Sequence, residues 1–278
     1  MAQSALLVVL PTLGNRIEFL ELALRSCQDL AAHLPTTVAM VVPAGAVQAR
    51  SLGTQYGAEL IDDPGEGMAG AINAGLAARR AEDFYIWLGD DDELVPRGIA
   101  KLAGELERDD NAVVAFGHCD YVDELGKSIA RSRAGRLAIW VLAWGPNLIP
   151  HPGSVIRLDA LEEIGGYSPG LSYALDLDVF LRLRTLGDFV ALPVVSARFR
   201  WHPDSATVAD RRASSREAVR VKDKHLPCFV RIFSALWNYP IAWLSGLAAL
   251  QLNRRVNKKA KLARAKAVSA KPFWCVRR

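Results

Sequence analysis

The feature that most constrains the fold is an apolar stretch that ends in three consecutive aspartates. Residues 84–88 are all aliphatic or aromatic, as in a buried strand, and after Gly89 the chain continues with Asp90, Asp91 and Asp92. Side chains alternate in direction along a strand, and open α/β sheets bind ligands beyond the carboxyl ends of their strands. We therefore expect at least one of these carboxylates to project into a ligand-binding crevice.

Three adjacent carboxylates repel one another unless a cation or hydrogen-bond donors compensate their charge. Hard oxygen ligands of this kind suit Mg²⁺ or Mn²⁺. The triplet therefore predicts a divalent metal site that carries phosphates. The alternative is that the aspartates cap and charge-stabilise the helix that Pro96 opens.

Strand-type and helix-type segments alternate through the first hundred residues. Strands are predicted at residues 5–10, 37–42, 58–61 and 84–88, and helices at residues 16–30 and 69–80. Such alternation indicates an α/β fold with a mostly parallel central sheet and helices on both faces. No G-x-G-x-x-G motif follows the first strand, so the dinucleotide-binding fingerprint is missing.

The cysteines and the first residues indicate the compartment. Cys27, Cys119, Cys228 and Cys275 show no paired spacing that suggests a zinc site or a disulfide framework, which fits a reducing cytosol. The first ten residues are apolar but have neither a basic segment nor a small-residue cleavage site. We interpret them as the first strand of the fold rather than an export signal.

The net charge of +4 conceals a strong asymmetry between the body of the chain and its tail. From Lys224 to Arg278 there are 12 basic and no acidic residues, whereas the preceding residues carry 22 basic and 30 acidic side chains, a net charge of −8. Such polarisation indicates an anionic partner for the tail, either a membrane surface or a nucleic acid.

An uncharged run, residues 232–250, precedes the basic cluster of the tail. Its 19 residues would just span a bilayer, but Asn238 and Pro240 weaken that interpretation, while Trp237 and Trp243 suit the headgroup boundary. We expect an interfacial or re-entrant anchor whose basic residues contact anionic lipid at the cytoplasmic face, with no nucleic acid as partner. The alternative is a C-terminal helix packed on the folded body.

Five segments follow one another in a characteristic order. They are VVLPTLGNR (8–16), GMAGAINAG (67–75), WLGDDD (87–92), GGY with ALDLDVFLRL (165–183) and FRWHPDSAT (199–207). In this order and spacing they resemble the large inverting family 2 of glycosyltransferases, which have the Rossmann-like GT-A fold. The resemblance implies a nucleotide-sugar-binding half at residues 1–100 and an acceptor-binding half at residues 101–210. The charge pattern predicts a helical basic tail at residues 211–278.

The resemblance also implies that a nucleotide-diphospho-sugar lies over the carboxyl ends of the first strands. The family's usual acid after the second strand is replaced by Pro43, so Asp62 or Asp63 would take over its contact with the base. The amide of Asn73 lies in an apolar helix and needs partners, which a neighbouring loop would supply as well as a ligand. The expected donor-binding residues are Pro11, Thr12, Asn15, Arg16, Asp62, Asp63, Asn73 and Asp90.

For the metal, Mg²⁺ or Mn²⁺, the resemblance implies ligands from two segments. Asp91 matches the second acidic position of the family's Asp-x-Asp motif, and Asp92 matches the acid that often follows it. The first acidic position falls on Gly89, so either Asp90 substitutes or the metal has fewer protein ligands. His202 is a further candidate ligand, although packing beside a tryptophan is an equally good interpretation of it.

Asp176 and Asp178 compete for the role of catalytic base. Residues two apart on a helix point about 200° away from each other, so only one can face the site. Asp178 has Arg182 at i+4, the spacing of an ion pair on the solvent face, whereas Asp176 matches the family's catalytic aspartate. We select Asp176. The alternative is that Asp176 only caps its helix.

Two further segments have a less specific chemistry. His151, in the loop of residues 148–154, lies within reach of an acceptor or a diphosphate, but simple loop packing is the better interpretation. Residues 137–144 are apolar and too short to span a bilayer, so we expect core burial, with contact to a lipid acceptor as the alternative.

These observations together predict a metal-assisted, inverting glycosyltransferase at the cytoplasmic face of the membrane. It would move a sugar from a nucleotide-diphosphate donor to an envelope polysaccharide or a lipid-linked acceptor. Transfer of this kind needs a cation for the leaving diphosphate and a base for the acceptor hydroxyl. A sugar-nucleotidyltransferase is disfavoured because no glycine-rich, lysine-containing loop follows the first strand. A degenerate fold that binds nucleotide-sugar without turnover stays open because of Gly89 and Pro43.

Overall fold

The computed structural model of the chain describes residues 4–133, 135–201 and 211–226, together with residues 236 and 240. His202 and nearly all of the predicted anchor, residues 232–250, lie outside these residues.

The described residues form nine strands and eight helices. The strands are β1 (Leu6–Pro11), β2 (Thr36–Val42), β3 (Glu59–Asp62), β4 (Phe84–Trp87), β5 (Glu93–Leu94), β6 (Ala112–Val122), β7 (Ser128–Ser132), β8 (Ser154–Arg157) and β9 (Asp188–Arg200). The helices are α1 (Ile17–Ala31), α2 (Val47–Gln55), α3 (Gly67–Leu76), α4 (Pro96–Arg108), α5 (Arg136–Val141), α6 (Leu158–Glu163), α7 (Leu175–Leu183) and α8 (Arg211–His225).

All nine strands belong to one sheet, in the order β3-β2-β1-β4-β8-β6-β9-β5, with β7 paired to β6. Strands β1 to β4 are parallel, so their carboxyl ends lie at one edge. Strand β8 enters antiparallel between β4 and β6, whereas β6 and β9 are parallel. The predicted α/β fold is confirmed, with parallel pairing concentrated in the half that precedes α4.

Helices cover both faces of the sheet because its central strands are buried on both sides. Every residue of β1 is buried, and alternate side chains enter two separate cores. Leu6 and Val8 contact the core under α1 and α4, while Leu7 and Val9 contact the core under α3 and α7. The second core therefore joins the parallel strands to the helix that carries Asp176.

Most predicted boundaries agree with the structure within about two residues, a usual difference between assignments of element ends. The exception is α3, which ends at Leu76 rather than at Arg80. The carboxylate of Glu82 accepts a hydrogen bond from the Arg80 backbone, and the Glu82 carbonyl accepts one from Arg79, so these residues form a turn. Helix α8, in the segment we assigned to the tail, packs on α7.

The predicted core burial of residues 137–144 is wrong for helix α5 and the turn that follows it. Ala138 and Leu142 are fully buried, but Leu137 is 64% exposed and Trp140 is 76% exposed. A helix buries one stripe of its surface, so a short apolar helix on the outside of a domain leaves half of its side chains in solvent. Among the described helices, none is long and apolar enough to cross a membrane.

Candidate functional site

The acidic triplet meets the first loop of the chain at the carboxyl ends of β1 and β4. Thr12 donates a hydrogen bond from Oγ1 to Oδ2 of Asp90 at 2.6 Å. The guanidinium of Arg16 bridges two carboxylates, with Nη2 at 2.7 Å from Oδ1 of Asp90 and Nη1 at 2.8 Å from Oδ2 of Asp91. Because β1 and β4 are adjacent and parallel, residues far apart in sequence converge here. Three of the predicted donor-binding residues and one predicted metal ligand thus form one cluster.

The geometry of this cluster fits a cation. The carboxylates of Asp90 and Asp91 converge on one positive group, the guanidinium of Arg16, and carboxylates are the ligands that Mg²⁺ and Mn²⁺ prefer. A Cβ on Gly89 would lie 3.0 Å from Oδ1 of Asp91 and 3.2 Å from Oδ2 of Asp92, so the glycine leaves space for these oxygens. Within the described residues, no group of three His, Cys, Asp or Glu side chains is arranged to hold one metal ion. The pair fits a cation that takes its remaining ligands from donor phosphates, as Mg²⁺ commonly does.

Asp92 lies deeper than its two neighbours. It is buried, and its Oδ1 accepts a hydrogen bond from the backbone N–H of Arg200 at 2.9 Å. Burial raises the pKa of Asp92 well above its usual range, and the charge of Asp91 acts in the same direction. The buried guanidinium of Arg200 also donates to the Asp91 carbonyl and to the Glu93 carboxylate. Asp92 and Arg200 therefore fasten the acidic loop to β9.

The alternative role of the triplet as a helix cap is wrong. Helix α4 begins at Pro96, its N-cap residue is Val95, and no side chain makes a capping hydrogen bond there. The short strand β5 separates the aspartates from the helix. The triplet is thus held by the contacts described above and not by the end of α4.

The other donor-binding candidates lie along the same edge of the sheet. Pro11 ends β1 and is buried, and Asn15 is exposed in the loop before α1. Asp62 ends β3 and pairs with Arg50 at 2.7 Å, and Oδ1 of Asp63 accepts a hydrogen bond from the backbone of Gly65. Strand β3 is separated from β4 by two strands, so Asp62 and Asp63 lie apart from the Asp90 cluster along this edge.

Asn73 finds its partners in a neighbouring loop. Its Nδ2 donates to the Tyr167 carbonyl at 2.8 Å, and its Oδ1 accepts from the Tyr167 backbone N–H at 2.9 Å. Gly166 has φ +70°, and a Cβ there would lie 2.9 Å from Oδ1 of Asn73. A glycine is needed because both the backbone conformation and the close approach exclude a side chain. The GGY segment is therefore pinned to α3.

Asp176 lies in the first turn of α7. Its Oδ2 accepts a hydrogen bond from Nδ2 of Asn147 at 2.8 Å, and its Oδ1 accepts one from the backbone of Leu177. Burial raises the pKa of Asp176 to about 6, although these hydrogen bonds act in the opposite direction. The N-cap residue of α7 is Ala174, so Asp176 does not cap its helix. Asn147 was missed because no motif or periodicity in its loop marks it.

Asp178 forms structural contacts rather than a free carboxylate. The predicted ion pair with Arg182 is confirmed at 2.7 Å, but its expected position on the solvent face is wrong, because Asp178 is buried. Ser168 donates a hydrogen bond to the same carboxylate. Burial by itself would raise its pKa, but the contacts with His225, Ser168 and Arg182 prevail and lower the pKa to about 2. A carboxylate that is so firmly ionised and fully paired is a poor proton acceptor.

An aromatic layer connects the two acidic sites. Trp87 ends β4 three residues before Asp90, and its ring lies 4.3 Å from that of His151 and 6.2 Å from that of Tyr167. His151 and Tyr167 share a hydrogen bond of 3.0 Å. Burial raises the pKa of Tyr167, and the nearby charge of Asp176 adds to this shift. The Asp90 cluster and Asp176 therefore lie at the same end of β4.

His151 is packed in this layer, as the loop interpretation predicted. Burial lowers the pKa of His151 to about 3, so the imidazole is neutral at physiological pH. The indole N–H of Trp87 is buried and has no hydrogen-bond partner among the described residues. Buried donors of this kind are uncommon in folded proteins, so this N–H is a candidate contact for a bound ligand.

The pKa values predict how turnover depends on pH. We expect kcat/KM to fall as the pH drops below about 6, because Asp176 must be ionised to accept a proton and its pKa is raised to about 6. The pKa of Asp178 is about 2 and that of His151 is about 3, so neither group explains a fall in kcat/KM near pH 6. The fall is measured by determining kcat/KM over a pH series with saturating metal, with a correction for protein stability. A profile that is flat from pH 5 to 8 would contradict the role of Asp176.

Comparison with known proteins decides the class of the chain. Residues 45–165 match the family described as Glycosyl transferase family 2. The middle of the chain thus has the sequence pattern of a family 2 glycosyltransferase. The predicted enzyme class and GT-A fold are thereby confirmed. No curated protein shows a significant match to the sequence.

Solved glycosyltransferase structures share the fold of the chain. A fragment of TarS from S. aureus in complex with UDP-GlcNAc has a TM-score of 0.61 and 12% identity, over 80% of this chain and 66% of that one. The mannosyltransferase PcManGT from Pyrobaculum calidifontis, in complex with GDP-Man and Mn²⁺, has a TM-score of 0.58 and 16% identity, over 98% of this chain and 77% of that one. The chain thus spans about two thirds of the TarS fragment. Identities this low show the fold and leave the substrates open.

Proposed function

We propose that the chain transfers a sugar from a nucleotide-diphosphate donor to an acceptor hydroxyl, with inversion at the anomeric carbon and Asp176 as the base. The observation that carries this proposal is the placement of two acidic sites at one end of β4. Asp90 and Asp91 follow Trp87 beyond the end of β4, and Asp176 lies close enough to Tyr167, whose ring contacts that of Trp87, to raise the pKa of Tyr167. We propose that the two sites face the bound sugar from opposite sides, since a leaving diphosphate and an attacking hydroxyl need opposed groups.

The donor would lie along the carboxyl edge of β1 to β4. Ligands of open α/β sheets bind there. In this arrangement the nucleoside would extend from Thr12 toward Asp62 and Asp63, and the diphosphate would approach Asp90 and Asp91. The two solved relatives bind UDP-GlcNAc and GDP-Man, so uridine and guanosine diphospho-sugars are the first donors to test.

Asp90 and Asp91 would hold a divalent cation, with Mn²⁺ or Mg²⁺ as the candidates. When bound, the cation neutralises the charge that develops on the departing diphosphate. Arg16 contacts both carboxylates in the present structure, so we propose that its guanidinium turns toward the donor phosphates when the cation binds. Arginine suits that role because its planar group pairs with phosphate as well as with carboxylate.

On the other side, the carboxylate of Asp176 would accept the proton of the acceptor hydroxyl. As that proton leaves, the acceptor oxygen forms a bond to the anomeric carbon, and the bond from this carbon to the diphosphate oxygen breaks. Asn147 holds Oδ2 of Asp176 and so limits rotation of the carboxylate. A pKa of about 6 keeps the group ionised yet basic at neutral pH.

One observation favours a second candidate, a protein that binds nucleotide-sugar without turnover. Arg16 occupies the space between Asp90 and Asp91, and a site that never holds a cation would keep this ion pair permanently. Incubation of the purified chain with Mn²⁺ and a panel of nucleotide-sugars separates the candidates. Release of a nucleoside diphosphate supports the transferase, release of pyrophosphate indicates a nucleotidyltransferase, and binding without release indicates the second candidate.

We propose a lipid-linked acceptor, with an envelope polysaccharide as the product's destination. An apolar surface on and after α5 supports this proposal, since Leu137, Trp140 and Trp144 are all exposed and the exposed Arg136 adds positive charge. The chain runs from Trp144 to Asn147 in three residues, so this surface adjoins the base. Tryptophan and arginine together are typical of surfaces that meet a lipid headgroup region.

The tail would hold the enzyme at the cytoplasmic face of the membrane through its basic residues. We expect the full chain to sediment with vesicles that contain anionic lipid, and a chain truncated after Leu226 to lose most of this binding, by roughly 1 kcal/mol per basic residue removed from the surface. Vesicle sedimentation at low and high salt measures both. Equal binding of the two chains would contradict a role of the tail in membrane attachment.

A further inference from the structure

Helix α8 contacts all the segments that hold Asp176. Its inward face is built from Glu217, Val221 and His225, which are spaced four residues apart and so lie on one side of a helix. Val221 is buried in the core shared with α7, and His225 lies 3.6 Å from the carboxylate of Asp178. The helix is therefore fastened to α7 by apolar and polar contacts together.

The end of α7 that carries Asp176 is capped from α8. The carboxylate of Glu217 is buried, and its Oε1 accepts backbone hydrogen bonds from Ser172 at 3.0 Å, Tyr173 at 2.6 Å and Ala174 at 2.7 Å. These residues immediately precede α7, whose own N-cap residue makes no side-chain capping bond. The N–H group of Ala174 belongs to the start of the helix and the other two precede it. Buried N–H groups need an acceptor, and a carboxylate beside a helix start also interacts favourably with the helix dipole. Glu217 meets this need from 43 residues away in the sequence.

A second side chain of α8 reaches the segment that binds the other side of the Asp176 carboxylate. The buried ammonium of Lys222 donates a hydrogen bond to the Gly145 carbonyl. Two residues further on, Asn147 donates its hydrogen bond to Oδ2 of Asp176. Both supports of the Asp176 carboxylate, the start of α7 and the Asn147 segment, are therefore attached to the same helix.

We propose that Glu217 is a positioning residue for Asp176, because its buried carboxylate takes the place of a local cap and fixes where α7 begins. The inference rests on the proposed role of Asp176 as the base. In this arrangement Glu217 binds the N–H groups before α7, and the Asp176 carboxylate stays available to the acceptor. A base that shifts by about 1 Å loses roughly 100-fold in rate, so a cap at this position acts directly on turnover.

Replacement of Glu217 tests the proposal. In Glu217→Ala we expect kcat to fall by about 100-fold with the KM for the donor within about twofold, since the donor cluster at β1 and β4 is untouched. We also expect faster amide hydrogen exchange in residues 172–177, because three N–H groups lose their acceptor. Glu217→Gln keeps the shape and one acceptor oxygen, so it should recover part of the lost turnover.

Glu82 offers a matched control. It is also buried and also accepts a backbone hydrogen bond, from Arg80, but it lies in the turn after α3. Glu82→Ala should lower stability without lowering kcat or changing exchange in residues 172–177. A kcat for Glu217→Ala within about twofold of wild type, with unchanged exchange, would overturn the proposal. If Glu217→Ala does not fold, Glu217→Asp decides by the same two measurements, because its shorter side chain withdraws the carboxylate from the three N–H groups. Asp176→Asn is measured in parallel, since turnover in that variant would remove the proposed base itself rather than its support.

Discussion

Asp176→Asn should abolish sugar transfer while nucleotide binding and folding persist. We expect kcat to fall by roughly 10²- to 10⁴-fold, the range lost when a positioned general base is removed. Asparagine keeps the shape of the side chain and can still contact Asn147, so the pocket should remain intact. Burial raises the pKa of the Asp176 carboxyl group. Because the charged form is disfavoured in the folded protein, the charge of Asp176 opposes folding at neutral pH. Thermal stability should therefore be equal to or higher than that of the wild type.

Asp178→Asn is the matched control for this experiment, because the residue lies two positions further along the same helix. Its pKa is lowered to about 2, so its ionised form stabilises the fold at neutral pH, and that contribution is lost only as the pH falls through this low value. The variant should lose thermal stability and keep most of its turnover per folded molecule. The assignment of the base would fail if Asp178→Asn were inactive and Asp176→Asn active.

Asp91→Asn should remove the dependence of donor binding on metal. The substitution takes away one of the two carboxylates that converge on the cation position, so we expect Mn²⁺ affinity to fall at least about tenfold and transfer about 100-fold. Thermal unfolding with UDP or GDP, with and without Mn²⁺, measures the effect directly. Wild type should be stabilised more by nucleotide and metal together than by either alone, and the variant should show no such synergy.

Asp159→Asn provides the corresponding control. Asp159 also pairs with an arginine, Arg79, at 2.6 Å, but it lies at the amino end of β4, where the backbone N–H of Leu158 donates a hydrogen bond to the Asp83 carbonyl. Its substitution breaks a comparable ion pair and should leave the synergy between nucleotide and Mn²⁺ unchanged. A synergy that persists in Asp91→Asn at wild-type size would show that the cation lies elsewhere.

The parallel half of the fold was predictable from sequence because its signals are local. Strands β1 and β4 are continuous apolar runs, and their shared edge follows from parallel pairing, which brought Thr12, Arg16 and Asp90 into one group. The second half was not predictable in the same way. Its antiparallel strand β8 inserts between β4 and β6, and such pairings depend on contacts between distant segments that leave no periodic pattern.

In the candidate site, too, some residues were predictable from sequence and others were not. Motif positions located Asp91 and Asp176, but spacing along the sequence could not reveal that Asp92 is buried against Arg200 or that Asn73 binds the Tyr167 backbone. Asn147 and Glu217 were invisible for a further reason. Asn147 binds Asp176, which lies 29 positions away, and Glu217 binds three backbone N–H groups that lie 43 to 45 positions away. Only the packed structure brings those partners together.

The central claim is that a cation on the Asp90 cluster and the Asp176 carboxylate face each other across the donor sugar. A crystal structure of the chain with a non-hydrolysable nucleotide-sugar and Mn²⁺, with the metal located by its anomalous signal, tests it most directly. The account predicts Mn²⁺ bound to Asp90 or Asp91 and to the diphosphate, with Asp176 on the far side of the anomeric carbon. A metal bound elsewhere, or a sugar that lies away from Asp176, would contradict it.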